Sequence, residues 1–343
     1  MTWIPLLLSD PSPSLRLLVL KELLNRQDND PEVLELKELQ ENDTLITSLL
    51  KFQLPDGSWN KDDLGSTAPG GHIQATSQAL VRLGYLQIPY DHPYIKKGIE
   101  FMFSCQNSDG SWPLPKFKRR NEFSGYDMQP LQTAIPLEGI AACGYSTDKR
   151  AEKGYEWLLN KRLDDGAWPV GITSGVYGKI GGYRRIAHSR WGCRSTTLAV
   201  LNCFSYHPKR KNSSEIKRAM DLILGTEVKD KYNLGFVISR LIGLEPSRGW
   251  ISYYPKLDPA HILNLSWKIG IDSTDQRLSE LIEFVKNLKG EYGLWDCNLH
   301  PQASRWLTFD LLCSLSKLKY KGDWISFEPR TPFRAYPKKE KRF

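Results

Sequence analysis

The chain has 343 residues, of which 40% are hydrophobic and 25% charged, an ordinary composition for a globular protein. It contains no run of about 18 apolar residues, and its N-terminus lacks the basic start and apolar length of a secretory signal. We therefore expect neither a membrane-spanning helix nor export, and predict a cytoplasmic location. Six cysteines without a C-x-x-C pair predict free thiols.

The net charge is +8, and the basic residues cluster in three places: residues 116–120, residues 183–194 and the C-terminal tail. Basic patches of this kind suit anionic partners such as a diphosphate, acidic lipid headgroups or nucleic acid. The alternative is a solvated surface with no partner.

In chain order, residues 1–40 predict an N-terminal helical extension that packs on the rest of the protein. Residues 41–320 predict one domain of repeated helical hairpins, and residues 321–343 a basic tail. Within the extension, Asp28-Asn-Asp-Pro31 is typical of a helix cap. No segment shows the sustained alternation of a β-strand, so the predicted fold class is all-α.

Four tryptophans, Trp59, Trp112, Trp168 and Trp295, mark the repeat. A glycine always stands two residues earlier, and an aspartate three residues earlier in the first three copies; Tyr292 is the exception. A glutamate occupies the position 12 residues before the last three tryptophans, while Thr47 precedes the first. So long a common register marks one repeated supersecondary unit.

Each unit predicts a helical hairpin. An apolar segment such as "HIQATSQALVRLGY" has helical spacing and predicts an inner helix; a capped turn follows, and an amphipathic segment such as "IKKGIEFMFSCQ" predicts an outer helix. "EIKRAMDLILGT" fits the outer pattern and places Asp221 in register, but the Gly-x-Trp ending is missing there.

The Asp-Gly-x-Trp turn has a mechanical explanation. Glycine supplies the left-handed residue that ends a helix, aspartate hydrogen-bonds the backbone of the turn, and tryptophan covers the joint to the next hairpin. Burial of one indole removes about 150–250 Å² of surface, or about 4–6 kcal/mol at ~25 cal/mol/Å² before entropy is deducted. We interpret the motif as a structural joint rather than a binding site.

This motif, best seen in "QNSDGSW", resembles the QW repeat of squalene and oxidosqualene cyclases, and more loosely the repeat of protein prenyltransferase β-subunits. The resemblance covers roughly residues 40 to 318. "DPSPSLRLLVLKELLNRQDNDPEV" and "ASRWLTFDLLCSL" are similar to segments of prokaryotic squalene cyclase-like proteins. The resemblance implies an α/α toroid, in which inner helices surround a central cavity that holds an isoprenoid.

The catalytic and zinc-binding motifs of these families are missing from this sequence. The Asp-x-Asp-Asp acid of the cyclases and the Asp-Asp-x-x-Asp of other terpene synthases do not occur in the sequence. The prenyltransferase zinc site needs an Asp-x-Cys pair and a later His. Here Trp191 stands where the Asp would be, and Leu307 at about the position of the His. The resemblance thus implies no cofactor and no metal.

The basic loop that remains carries the first group of candidate ligand-binding residues. In prenyltransferases, basic residues nearby bind the diphosphate, so the resemblance implies an anion site at the cavity mouth. The candidates in this loop are Arg184, Arg185, His188, Arg190, Trp191 and Cys193. The alternatives are a solvated loop and, for Cys193, a buried inert thiol.

Further candidates lie near predicted inner helices: His72, Tyr253 and Trp306. His72 and His300 precede such helices, close to where a toroid's cavity would open, and could form a ligand set with His188, although no spacing rule supports one. Tyr253 and Trp306 could cradle a substrate, and packing is the alternative.

The leading hypothesis is a terpene cyclase-like or prenyltransferase-like toroid that binds or converts an isoprenoid or similar lipid. A prenyl diphosphate is one possible ligand. An acidic membrane surface is a possible partner of the basic tail. If it is an enzyme, it would be a cyclase-like isomerase or lyase, or a prenyltransferase-like transferase. The alternative is a non-catalytic repeat scaffold that binds a protein, peptide or nucleic acid.

The missing ligands lead to a first testable prediction. Purified protein should carry no stoichiometric zinc, because Trp191 and Leu307 replace two of the three ligands that a thiolate-activating zinc needs. Elemental analysis of the purified chain checks this. About one zinc per chain, lost on Cys193→Ser, would contradict it.

Overall fold

The computed structural model describes residues 3–60, 64, 71–113, 130–170, 172–173, 176–177, 185–245, 257–290 and 292–318. Over these residues the chain is helical, with one antiparallel pair of two-residue strands, β1 (Ile172–Thr173) and β2 (Val176–Tyr177). The predicted all-α class is confirmed.

The amphipathic segments form an outer layer of helices: α4 (Thr44–Lys51), α6 (Pro93–Ser104), α8 (Lys149–Asn160), α10 (Ser214–Leu224) and α13 (Gln276–Asn287). Each buries one stripe; in α10 the buried residues include Ile216, Met220 and Ile223, at helical spacing. Aspartates cap several of these helices, as Asp148 does by accepting a hydrogen bond from the backbone N–H of Arg150.

The apolar segments form the inner layer: α5 (Gly71–Tyr85), α7 (Pro130–Ile140), α9 (Arg194–Ser205), α12 (Pro259–Ile269) and α14 (Ser304–Lys317). Consecutive inner helices contact one another from α5 through α14, and the outer helices α6, α8, α10 and α13 each pack on an inner one. Tyr85 of α5 donates a hydrogen bond to Asp310 of α14 at 2.8 Å, 225 residues away, so the last inner helix returns to the first. The inner helices therefore form a ring, which is the predicted α/α toroid.

All four repeat tryptophans are fully buried and make the same two hydrogen bonds. In the second copy, the indole N–H of Trp112 donates to the carbonyl of Met102 in the outer helix before it, at 2.9 Å. The backbone N–H of Trp112 donates to Thr133 Oγ1 in the inner helix after it, at 3.2 Å. The corresponding threonines of the other copies are Thr76, Thr197 and Thr308. Each tryptophan thus fastens an outer helix to the next inner helix.

The glycine of the motif is required both by its backbone angle and by its surroundings. Gly110 has a φ of +94°, and a Cβ there would lie 2.5 Å from the carbonyl oxygen of Lys153 in the next outer helix. Gln106 spans the same joint, because its side-chain amide donates to the carbonyls of Gly110 and Arg150, both at 2.9 Å. The turn of one unit therefore docks directly on the following outer helix.

The unit that lacks the tryptophan uses a buried aspartate instead. Asp258, at the start of α12, accepts hydrogen bonds from the backbone N–H groups of Gly235, Val237 and Ala260. Gly235 and Val237 lie at the start of a short additional helix, α11 (Phe236–Leu241), which has no counterpart among the described residues of the other units. One carboxylate thus joins α11 to α12 at this position of the ring.

Three short helices precede the first repeat: α1 (Trp3–Leu8), α2 (Pro13–Leu18), which continues as a π-helical turn over Val19–Leu23, and α3 (Pro31–Gln40). The π turn and α1 contact α14, and Ser12 donates to Asp43 at 2.6 Å. The predicted domain boundaries at residues 40 and 320 stay a prediction.

The tryptophan joint can be tested by truncation. Trp112→Ala should lower the free energy of unfolding by about 3–5 kcal/mol, because it removes a fully buried indole and leaves the carbonyl of Met102 without its donor. Denaturant unfolding measures the change. Tyr292→Ala, at a side chain that is 75% exposed, is the control and should change it by less than about 0.5 kcal/mol. Equal changes in the free energy of unfolding for the two variants would contradict the structural role of Trp112.

Candidate functional site

The ring of inner helices surrounds a cavity of about 660 Å³. All five inner helices contribute to its wall, together with α11 and the π turn after α2. A cavity of this size lies within the range of roughly 300–1,000 Å³ that is common for small-molecule sites.

The tryptophan joints determine which residues face the cavity. Counted from the threonine that each tryptophan binds, residues two and five positions later point inward, since they lie on one helical face. On α5 these are Gln78 and Val81, and on α7 Ile135 and Glu138. The same two positions give Ala199 and Asn202 on α9, and Asp310 and Cys313 on α14.

Most of the wall is apolar or aromatic: Leu18, Val81, Leu131, Ile135, Leu198, Ala199, Tyr206, Phe236, Leu241, Leu265, Trp267 and Phe309. Apolar surface of this extent favours an apolar ligand, because each buried methylene contributes about 0.8 kcal/mol.

Five carboxyl groups interrupt this surface, those of Glu22, Glu138, Glu245, Asp258 and Asp310. Asp310 accepts the hydrogen bond from Tyr85, and burial raises the pKa of the Asp310 carboxyl to about 7. Burial also raises the pKa of Glu138 to about 7. Glu138 is the one residue of α7 that is half-buried rather than fully buried, because it faces the cavity. Asp310 and Glu138 therefore exist partly as neutral acids at neutral pH, which suits proton donation.

Glu138 belongs to a hydrogen-bonded chain across three helices. The side chain of Asn202 donates to Glu138, and Asn202 Oδ1 accepts from His261 Nε2 at 2.8 Å. Because Oδ1 is only an acceptor, His261 Nε2 carries a proton. Burial, reinforced by nearby Lys268 and Arg240, lowers the pKa of His261 to about 3, so this imidazole is neutral.

Two cations lie beside the acids. Lys268 of α12 has its pKa lowered to about 8, mainly by burial, while Asp310 and Glu138 oppose that shift. Arg240 of α11 lies near Glu138, and burial lowers its pKa as well. A single ligand could therefore reach two acids and two cations from the same cavity.

Those residues chosen from the sequence that the structure describes lie outside the cavity wall. None of the seven that the structure describes is among the residues that line the cavity. His72 is exposed at the start of α5, where its Nδ1 lies 3.3 Å from Ser58 Oγ. Trp306 is buried and packs against Tyr85, with ring centroids 6.0 Å apart, so it supports the wall from behind.

The basic loop forms a compact turn before α9. Arg185, His188 and Arg190 are exposed, whereas Trp191 is half-buried and Cys193 fully buried. The loop is fastened to the third joint, since the backbone N–H of Cys193 donates to the carbonyl of Trp168 at 2.8 Å. These residues share one loop, and none of them lines the cavity. Arg184 and Tyr253 lie outside the described residues, and anion binding at the loop stays a prediction.

No group of three histidine, cysteine, aspartate or glutamate side chains is arranged to hold a metal ion among the residues that the structure describes. His300 Nε2 and Glu245 Oε2 share a hydrogen bond at 2.9 Å. The six cysteines are free thiols.

Sequence reasoning did not identify Asp310, Glu138, His261 or Lys268. Their signal was a single ionisable residue inside an otherwise apolar helix, as in "WLTFDLLCSL" and "AIPLEGI". Such a residue is rarely buried without a partner, and it therefore points to a polar cavity or a functional site.

Comparisons with known proteins find similarity to squalene–hopene cyclases and related proteins, as the tryptophan repeat predicts. Residues 32–178 match the model of the squalene–hopene cyclase C-terminal domain. The squalene–hopene cyclase of Zymomonas mobilis is 32% identical over 174 residues, which cover 50% of this chain and 25% of that enzyme. Lanosterol synthase of Candida albicans is 26% identical over 85 residues, or 24% of this chain and 12% of that enzyme. Among solved structures, the type II terpene cyclase MstE from Scytonema superposes with a TM-score of 0.48 at 14% identity, over 82% of this chain and 73% of that chain.

The repeated joints and the match over residues 32–178 show that the chain resembles the squalene cyclase-like superfamily. The predicted resemblance is confirmed. The aligned segments span a quarter or less of the curated relatives just named. In the part of the chain that the structure describes, none of the helices combines the length and apolarity needed to cross a bilayer.

The raised pKa of Asp310 predicts a pH dependence of stability. A carboxyl whose pKa is about 7 in the folded protein, against 3.8 for an ordinary aspartate, stabilises the fold below about pH 4, and this contribution is lost as the pH rises through 7. Asp310→Asn should therefore gain stability relative to the parent protein between about pH 4 and pH 8, while its amide oxygen can still accept from Tyr85.

Urea unfolding at several pH values measures this difference. Asp164→Asn, at an exposed turn, is the control for the loss of one surface carboxylate. The Asp310→Asn variant should keep part of the pH dependence of its unfolding free energy, because the pKa of Glu138 is shifted in the same direction. A stability difference that does not vary with pH would show that Asp310 is ionised throughout.

Proposed function

We propose that this protein binds an isoprenoid or a similar lipid in its central cavity. The observation that carries the proposal is the cavity of about 660 Å³ enclosed by the inner helices, with a largely apolar and aromatic wall. The superfamily supports the class of ligand, since the curated relatives include squalene–hopene cyclases.

The same cavity contains the groups needed to begin a reaction. Asp310, partly neutral at pH 7 and hydrogen-bonded to Tyr85, is a proton donor within an apolar enclosure. Transfer of its proton to an alkene would form a C–H bond from the π electron pair and leave a carbocation. The aromatic ring of Phe309 lines the cavity and would stabilise that positive charge.

The basic loop and the tail provide finer parts of the proposal. Arg185, His188 and Arg190 are exposed and close in sequence, so with Arg184 they could bind the diphosphate of a prenyl diphosphate at the surface. The C-terminal tail, residues 321–343, could attach the protein to an acidic membrane.

A cavity-filling substitution tests the proposed binding site. Ala199 lines the cavity from α9, and Ala199→Trp should abolish binding of geranylgeraniol because the indole occupies the space of the ligand. Isothermal calorimetry with the purified chain measures binding, and thermal unfolding confirms that the variant folds.

Ala187→Trp is the matched control, since Ala187 is exposed in the basic loop, and its affinity should equal that of the parent protein. Binding that survives Ala199→Trp would place the lipid elsewhere. If the parent protein binds neither prenyl alcohols nor prenyl diphosphates, the non-catalytic scaffold becomes the better function.

A further inference from the structure

The acids of the cavity have hydrogen-bond donors of their own. Asp310 accepts from Tyr85 and Glu138 from Asn202. Asp258 accepts from three backbone N–H groups, and Glu245 is paired with His300. The carboxylates that line the cavity are therefore largely satisfied within the protein.

Several donors of the same cavity lack an acceptor. Among the described residues, Lys268 Nζ has no hydrogen-bond partner and lies over the ring of Tyr206, 4.5 Å from its centroid. Gln78 Nε2 and Trp267 Nε1 are buried without a partner, and both residues line the cavity. A buried donor without an acceptor is unfavourable, so Gln78 Nε2 and Trp267 Nε1 call for acceptor oxygens from outside the protein, and Lys268 Nζ can bind one as well.

The excess of donors without partners over acids without partners favours an anionic ligand over a cationic one. A cationic ligand would compete with the donors that already satisfy Asp310 and Glu138, and it would lie beside two cations. An anionic ligand would instead supply acceptors to Lys268 and come within the field of Arg240. Nearby acids would not repel it strongly, because burial keeps both carboxyl groups partly neutral at pH 7.

We propose that the cavity selects lipids that carry an anionic oxygen head group, a carboxylate or a phosphate monoester, and that Lys268 binds this head group while the hydrocarbon chain lies along the apolar wall. The inference rests on the proposed function, and it names the class of lipid that the cavity takes. It also differs from the loop prediction, in which the basic loop around Arg185 binds the anionic group at the cavity mouth.

Three ligands that share the same hydrocarbon chain and differ in their head group test whether the anion binds in the cavity or at the loop: geranylgeraniol, geranylgeranoic acid and geranylgeranyl monophosphate. Binding is measured by calorimetry at pH 7 for the parent protein and for Lys268→Met, which keeps the apolar stem and removes the charge. Lys217→Met, on the exposed face of α10, is the matched control. Arg185→Gln tests the loop.

The parent protein should bind at least one of the two anionic lipids roughly 10- to 100-fold more tightly than the alcohol, the ratio expected for one charge-assisted hydrogen bond. Lys268→Met should remove that preference and leave the affinity for the alcohol within about twofold. Lys217→Met and Arg185→Gln should keep the preference. The acid and the monophosphate, compared directly, identify which head group the cavity takes.

Equal affinities for the alcohol and both anions in the parent protein would overturn the head-group inference and leave lipid binding intact. A preference that survives Lys268→Met but disappears in Arg185→Gln would move the anion to the loop and overturn it as well. If no ligand binds, both the inference and the proposed function fail. Thermal unfolding of Lys268→Met keeps the result interpretable, since loss of an unpaired cation should not lower the stability of the fold.

Discussion

Each repeat tryptophan is held from two sides, and the arrangement of the whole ring follows from that constraint. The indole N–H is fixed to the outer helix that precedes it, and the backbone N–H to a threonine of the inner helix that follows. An inner helix anchored at one threonine can neither rotate nor slide without breaking a buried hydrogen bond. The faces directed at the cavity are therefore determined by joints that do not themselves touch the cavity.

The cavity combines an apolar wall with ionisable groups that would be unstable if they were isolated there. Burial drives Asp310 and Glu138 toward the neutral form and Lys268 toward the neutral amine, and their mutual attraction opposes both shifts. The outcome is a set of groups that gain or lose protons near neutral pH. Such groups are suited to proton transfer and to recognition of a charged ligand, and the same residues can serve both purposes.

The sequence predicted the joints because each is local: the aspartate, the glycine and the tryptophan lie within four residues, and their chemistry can be read directly. The cavity could not be predicted in the same way. Tyr85 and Asp310 meet across 225 residues, and only the closed ring shows that they share a hydrogen bond. The candidate residues around Arg185 were chosen because basic residues cluster there in sequence, whereas the cavity collects one or two ionisable residues from each of several helices.

The stretch between each tryptophan and its threonine varies in length although its two ends stay fixed. The two partners are separated by 17, 21, 29 and 13 residues in the successive copies. Insertions and deletions in these segments therefore leave the register of the inner helices unchanged, because the hydrogen bond to the tryptophan fixes the threonine whatever the length of the connection. Evolution can lengthen, shorten or replace these connections independently of the barrel, and a protein engineer can graft new segments between the same two anchors without redesigning the core.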